Sequence, residues 1–150
     1  HYPLRRQRQM CIRDRVHALV FLNHKKTVVS SEMVAENVCT NPARVRKILA
    51  SLKKAGLVST KEGLDGGYQF SADASKVNLC MIADALGVAF VSSSWKSGNL
   101  EKNCLIASGM AGLLDGLYQQ LDQKCREELK HITIADLEGQ IFNNRKKAAK

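Results

Sequence analysis

Cysteine and histidine are the side chains best able to do covalent or metal chemistry. This 150-residue chain carries five of the first and four of the second. The cysteines are Cys11, Cys39, Cys80, Cys104 and Cys125; the count is odd and no two form a Cys-x-x-Cys pair. A tetrahedral metal site draws on paired ligands at short spacing, which His17, His24 and His131 do not supply, so no metal site is expected. The wide spacing also argues against a disulfide framework and fits a reducing cytoplasm. A thiol enzyme would need a cysteine matched to a histidine base, and phosphate chemistry would call for a glycine-rich loop. Neither pattern is recognisable, and the chain reads as a non-enzyme.

Charge is the other chemistry on offer. Lys and Arg number 23 against 14 Asp and Glu, a formal +9. A basic chain suggests an anionic partner, but its distribution matters more than its total. Residues 1–15 carry +4 and residues 145–150 another +4. Residues 16–72 carry +4, whereas residues 73–144 carry −3. Half-way through the basic part lies one helix-forming stretch with its cations on one side. Asn41 is a good N-cap, and Pro42 then sits where a missing N–H costs nothing. Val45, Ile48, Leu49, Leu52 and Ala55 form the apolar stripe, and Gly56 follows as a left-handed cap. The opposite face carries Ala43, Lys47, Ala50 and Lys54, flanked by Arg44 and Arg46. Small residues and cations on an outward face suit close approach to a polyanion.

The elements that must position this helix follow from the same periodicities. The composition, 45% hydrophobic and 25% charged, is that of about one globular domain. No apolar run approaches the ~20 residues that would span a bilayer, so no membrane partner is expected. The run Gln9-Met10-Cys11-Ile12-Arg13-Asp14-Arg15 resembles a translated adapter from sequencing libraries. Residues 1–15 are therefore expected to be a non-native or disordered tail. Val16–Asn23 reads as a short helix, Thr27–Ser30 as a stub of strand, and Ser31–Val38 as a second helix that turns at Cys39-Thr40. The cationic helix is the third. Leu57–Lys61 and Tyr68–Phe70 form a hairpin across a glycine-rich loop. Asn78 caps a fourth helix, Leu79–Leu86, ending at Gly87. An irregular connection over Val88–Asn103 leads to a long helix from Cys104 to Lys130. A last helix covers Ile134–Phe142, with residues 143–150 as a basic tail. Three short helices and then a hairpin is the winged helix-turn-helix order. The fold expected is thus mainly α with a small β-hairpin wing. A DNA-binding domain spans residues 16–87, and residues 88–142 hold a linker, a dimerisation helix and a closing helix.

Four runs carry a more specific likeness: Ser30–Glu36, Thr40–Leu49, Leu52–Val58 and Gly63–Tyr68. Together they resemble the Rrf-two family of bacterial winged-helix transcription regulators. Its members include the iron–sulfur cluster regulator, the nitric-oxide-sensitive repressor and the cysteine-metabolism repressor. Ile132–Leu137 also resembles the family's entry into its last helix. The resemblance implies a homodimeric repressor on palindromic double-stranded operator DNA. It assigns Arg44, Arg46 and Lys47 to base and phosphate contacts, and Gly66, Gly67 and Tyr68 to a wing tip in the minor groove. Ser31, Asn41, Ala43 and Lys54 complete the expected DNA face. Where many members have a basic residue before the first wing glycine, Glu62 stands here, with Lys61 as a substitute cation. Two other classes remain on the residues alone: a winged helix that binds RNA or protein without regulating an operator, and a thiol enzyme.

The family's iron–sulfur members use three close cysteines ahead of the long helix, and only Cys104 lies there. Cys80 and Cys125 are each more than 20 residues away. One thiolate cannot hold a cluster that takes four protein ligands, so neither a cluster nor another cofactor is expected. With Asn103 as N-cap, Cys104 would fall in the first helical turn, where the helix dipole favours thiolate. Cys104 is therefore the candidate redox sensor, with a packing cysteine as the alternative. Cys39 and Cys80 read as packing residues. In the long helix, Gly112 and Gly116 lie one turn apart, and each glycine there costs about 1 kcal/mol against alanine. Close approach of a second helix would explain them. Met110, Leu113, Leu117 and Leu121 line the same stretch, so these six residues are the expected dimer contacts.

Overall fold

The computed structural model describes residues 4–92 and 98–149, with side chains from Ile12 onward. In chain order the elements are α1 (Leu4–Lys25), α2 (Ser31–Val38), α3 (Pro42–Lys54), β1 (Val58–Lys61), β2 (Gly67–Phe70), α4 (Leu79–Leu86), α5 (Leu105–Leu129) and α6 (Ile134–Ala148). They fall into two compact units. The first holds the residues up to Val88 and those from Lys130 onward; the second is Ala89–Leu129.

Local capping fixes the short helices of the first unit. The Ser30 hydroxyl accepts the Met33 N–H at the head of α2, and the Asn78 side-chain carbonyl accepts the Met81 N–H at the head of α4. Asn41 does the same for α3, accepting the Ala43 N–H at 2.7 Å, with Pro42 in the first turn. Cys39 closes α2 in the left-handed conformation (φ 59°), which makes the turn into α3 tight. Thr133 and Asp136 form a reciprocal capping box on α6. Each helix then buries one stripe. Leu19, Leu22, Val34, Val45, Leu49, Ile82 and Ile134 are essentially sealed from water and meet in one core. Burial of such a side chain stabilises by about 1.5–3 kcal/mol, so the stripes, not the helix propensities, hold the unit together.

The wing pairs antiparallel, Val58 opposite Phe70 and Lys61 opposite Gly67. The expected strand stub joins it: Val29 and Tyr68 exchange two backbone hydrogen bonds at 2.8 Å. A Cβ on Gly67 would stand 2.3 Å from the Val29 carbonyl oxygen, so only glycine permits this approach. A second bridge, Asn78 with Thr133, ties the start of α4 to the start of α6.

Three boundaries differ from the expectation. The segment read as an N-terminal tail is helical from Leu4, because Arg, Gln and Met are good helix formers and a formed helix propagates cheaply. Its last residues are tied to α3: Asp14 pairs with Arg44, and the Arg15 Nε donates to the Ser51 hydroxyl at 2.9 Å. The closing helix runs to Ala148, through most of the segment read as a basic tail; Lys150 lies outside the described residues. Cations are favourable at a helix C-terminus, which explains the extension. Finally, α6 belongs with the winged-helix unit, not with the long helix, since Ile134 fills the first unit's core.

In the second unit, residues 93–97 of the expected irregular connection lie outside the described residues. The connection is pinned to α5 on both sides of them. The Asp122 carboxylate accepts the backbone N–H groups of Phe90 and Val91, and the Arg126 Nε donates to it at 3.0 Å. Burial raises the Asp122 pKa, but these bonds outweigh it and hold the group below the usual carboxylate range. Further along, the Asn99 N–H donates to the Ala107 carbonyl at 2.9 Å, with Gly98 in the left-handed region beside it.

Candidate nucleic-acid interface

α3 presents its cations as its periodicity requires. Val45, Ile48, Leu49 and Leu52 are buried, whereas Ala43, Arg46, Lys47 and Lys54 are exposed. Arg46, Lys47 and Lys54 make no ion pair among the described residues, so their charge is available to a partner. Lys53 is different: its Nζ donates to the Thr60 hydroxyl at 2.9 Å and braces the helix against β1. Arg44 is also different. Its Nη2 and Nε lie 2.8 and 2.9 Å from one Asp14 oxygen, which removes it from the ready cations. Asp14 carries no local signal of this contact, since it lies in an arginine-rich run without an apolar period. Ser31 is half-buried at the start of α2, its hydroxyl 3.3 Å from Glu32, and the Asn41 carbonyl is occupied in capping.

The wing differs from the expectation in one respect. Gly67 and Tyr68 lie within the paired strand, and Tyr68 packs on the core, so neither is at the tip. The tip is the middle of the five-residue turn between the strands, where Leu64 projects fully into solvent between Gly63 and Asp65. Gly66 sits at the return, its N–H donating to the Gly63 carbonyl at 3.0 Å. Counting to the centre of the turn would have located Leu64. Lys61 is exposed at the end of β1, opposite Gly67.

Cys104 is exposed and stands one residue earlier than expected, as the N-cap of α5 itself. The backbone N–H groups of Ala107 and Ile106 bond its sulfur and lower its pKa, outweighing the slight opposing effect of burial. Cys80 is buried as expected, its thiol 3.6 Å from Asp84. Cys39 is exposed, contrary to a packing role, because the left-handed cap turns it out of the core. Among the described residues no group of three or more His, Cys, Asp or Glu could hold a metal ion.

On α5, Met110, Leu113, Leu117 and Leu121 are all exposed, and nothing stands within 4 Å of a Cβ added at Gly112 or Gly116. No side chain of α5 is buried, so a 25-residue helix carries an apolar row that this chain alone leaves uncovered. Among the described residues no helix is long and apolar enough to cross a membrane.

Comparison with known proteins places this geometry. The Rrf2 (Rrf-two) family model, described as an iron-dependent transcriptional regulator, matches residues 12–140. YwnA of Bacillus subtilis (strain 168), named as a candidate HTH-type transcriptional regulator, is 22% identical over 134 residues, 89% of this chain and 97% of that protein. The HTH-type transcriptional regulator IscR of Vibrio vulnificus (strain YJ016) is 25% identical over 118 residues, 79% of this chain and 67% of that one. A crystal structure of a candidate regulator from Lactobacillus plantarum superposes with a TM-score of 0.77 at 23% identity, covering 94% of this chain and 99% of that chain. The iron in the family's description meets no group of three or more His, Cys, Asp or Glu able to hold it among the described residues. The fold, the capped cationic helix and the match over most of the chain agree that this chain belongs to the Rrf2 family of transcriptional regulators.

Proposed function

We propose that this regulator acts as a cytoplasmic homodimeric repressor on palindromic operator DNA. The observation that carries the reading is the exposed row Arg46, Lys47 and Lys54, free of ion pairs among the described residues, on a helix whose opposite stripe is buried. Such a helix can enter the major groove, about as wide as the helix itself. Arg46 can grip guanine with two parallel hydrogen bonds and so read sequence, whereas Lys47 and Lys54 sit on phosphate and add affinity. Lys61 and the Leu64 tip reach toward the neighbouring groove. The uncovered apolar row of α5 pairs with the same row of a second copy, with Gly112 and Gly116 admitting the close crossing. Two recognition helices related by a two-fold axis then face two half-sites about one helical turn apart.

The signal is read at Cys104. Its thiolate, held by two backbone N–H groups, attacks a hydroperoxide oxygen to give the sulfenic acid, and the peroxide is reduced to water or alcohol. Replacing sulfur's acceptor pair at the N-cap perturbs the first turn of α5, the helix that carries the dimer contacts.

The DNA assignment is tested by comparing Arg46→Ala with Lys54→Ala in salt-titrated binding. Arg46→Ala is expected to lose about 1–3 kcal/mol of discrimination against mismatched bases. Lys54→Ala is expected to weaken all duplexes alike and to reduce the log–log salt slope by about 0.9. Unchanged affinity and discrimination in Arg46→Ala would refute the assignment. A Cys104→Ser variant whose DNA binding still responds to peroxide would refute the sensor.

A further inference from the structure

α6 outlasts its structural purpose. Its first turns fill the core through Ile134, and its middle is fastened to α1, with Glu138 accepting from Asn23 and His24 and with Phe142 stacked on His24 at 4.7 Å. Beyond Asn144 nothing of the helix is buried, yet it continues through Arg145, Lys146 and Lys147, all exposed. Favourable charge at a helix C-terminus explains why those cations are tolerated, but not why none of the three meets an acidic partner among the described residues.

Their position in the fold points to a use. Leu137, Gln140, Ile141 and Asn144 line one wall of a groove whose other wall includes Arg13 and Asp14 of α1. Asp14 in turn bonds Arg44, in the first turn of α3. The end of α6 and the head of the recognition helix therefore share a neighbour, and the exposed Arg13 adds a further cation to the lining of the same groove. At 3.6 residues per turn, Arg145 and Lys147 flank the groove-lining row about a quarter turn to either side, while Lys146 points away from it. An array of exposed, unpaired cations beside a DNA-reading helix is complementary to phosphates rather than to bases.

We propose that the last turn of α6, through Arg145 and Lys147, is a second phosphate-binding element that holds duplex DNA flanking the half-site read by α3. This rests on the operator reading above, and its consequence is an added, sequence-independent affinity that depends on flank length. Two more phosphates neutralised steepen the log–log salt slope by about 1.8, a further 3.5-fold loss of affinity for each doubling of salt.

The test uses the full chain and two duplexes, the operator core alone and the core with ten or more base pairs of arbitrary sequence on each side. The parent protein is expected to show the steeper slope on the long duplex only. Arg145→Gln/Lys147→Gln is expected to lose that difference while keeping its affinity for the core. Lys146→Gln is expected to keep the difference, which separates a placed contact from diffuse charge. If the double variant keeps the parent's flank dependence, or if Lys146→Gln loses as much, the proposal is overturned. If the parent binds neither duplex, the operator reading fails and takes the proposal with it. The charge-preserving variant Arg145→Lys/Lys147→Arg is expected to keep the parent's flank dependence, because charge is what the phosphates read, and its loss there would overturn the proposal.

Discussion

Asp14 makes a prediction in which stability and function move in opposite directions. Its carboxylate holds two nitrogens of Arg44 through one oxygen, at 2.8 and 2.9 Å, with the side chains 22% and 40% exposed. For a pair this open to solvent the stabilisation is about 0.2–1 kcal/mol. Asp14→Asn keeps the shape and removes the charge, so the melting temperature should fall by no more than about 2–4 °C. The same change releases Arg44 beside the α3 cations. One more phosphate contact adds about 0.9 to the salt slope, which between 1 M and 0.1 M salt amounts to about eightfold in affinity. The assay is fluorescence anisotropy with labelled operator from 0.1 to 0.4 M potassium chloride, beside thermal melts of the same preparations. A slightly less stable protein that binds more tightly, with a steeper salt slope, is expected. Equal or weaker binding at an unchanged slope would show that the head of α3 does not face phosphate, and the interface would have to be redrawn.

Three further outcomes follow from the structure. Gly67→Ala forces a methyl to 2.3 Å from the Val29 carbonyl and must break the Val29–Tyr68 bridge; a loss of about 1–3 kcal/mol in denaturant melts is expected. Gly112→Leu places a bulky side chain where the crossing helix would approach, and light scattering should show a shift from dimer toward monomer; an unchanged dimer would count against that crossing. The Cys104 thiol, its pKa lowered by the N–H groups of Ala107 and Ile106, keeps its reactive thiolate to lower pH than a free cysteine at about 8.5. Its alkylation rate should therefore rise at lower pH than that of a free cysteine measured alongside, and a profile matching free cysteine would remove the basis for the sensor.

Most of the first unit was legible in the sequence because its signals are local and agree with one another. Asn41, Pro42, the Val45–Leu52 stripe and Gly56 each specify the same helix, and the structure places the four stripe residues in the core. The hairpin was legible from its strand formers and glycines. Its tip was not, since the Val29–Tyr68 bridge that pulls Gly67 and Tyr68 into the ladder is a long-range pairing with no local signature. The two ends of the chain were misjudged for a shared reason. Runs of Arg, Lys and Gln show no apolar period, yet they favour helix once a neighbouring turn has nucleated it. The ion pair of Arg44 was invisible for the same reason, because its partner lay in one of those runs. Cys104 was placed one residue late, a difference that matters because an N-cap sulfur receives hydrogen bonds that a first-turn side chain does not.

The most direct measurement is selection of binding sites from random duplex DNA with the full chain, run in parallel on reduced and peroxide-treated protein. Enrichment of one palindrome, with half-sites about one helical turn apart and with recovery diminished after oxidation, is the expected result. Recovery of DNA with no common sequence, or of a single unrepeated half-site, would contradict a dimeric operator-binding regulator.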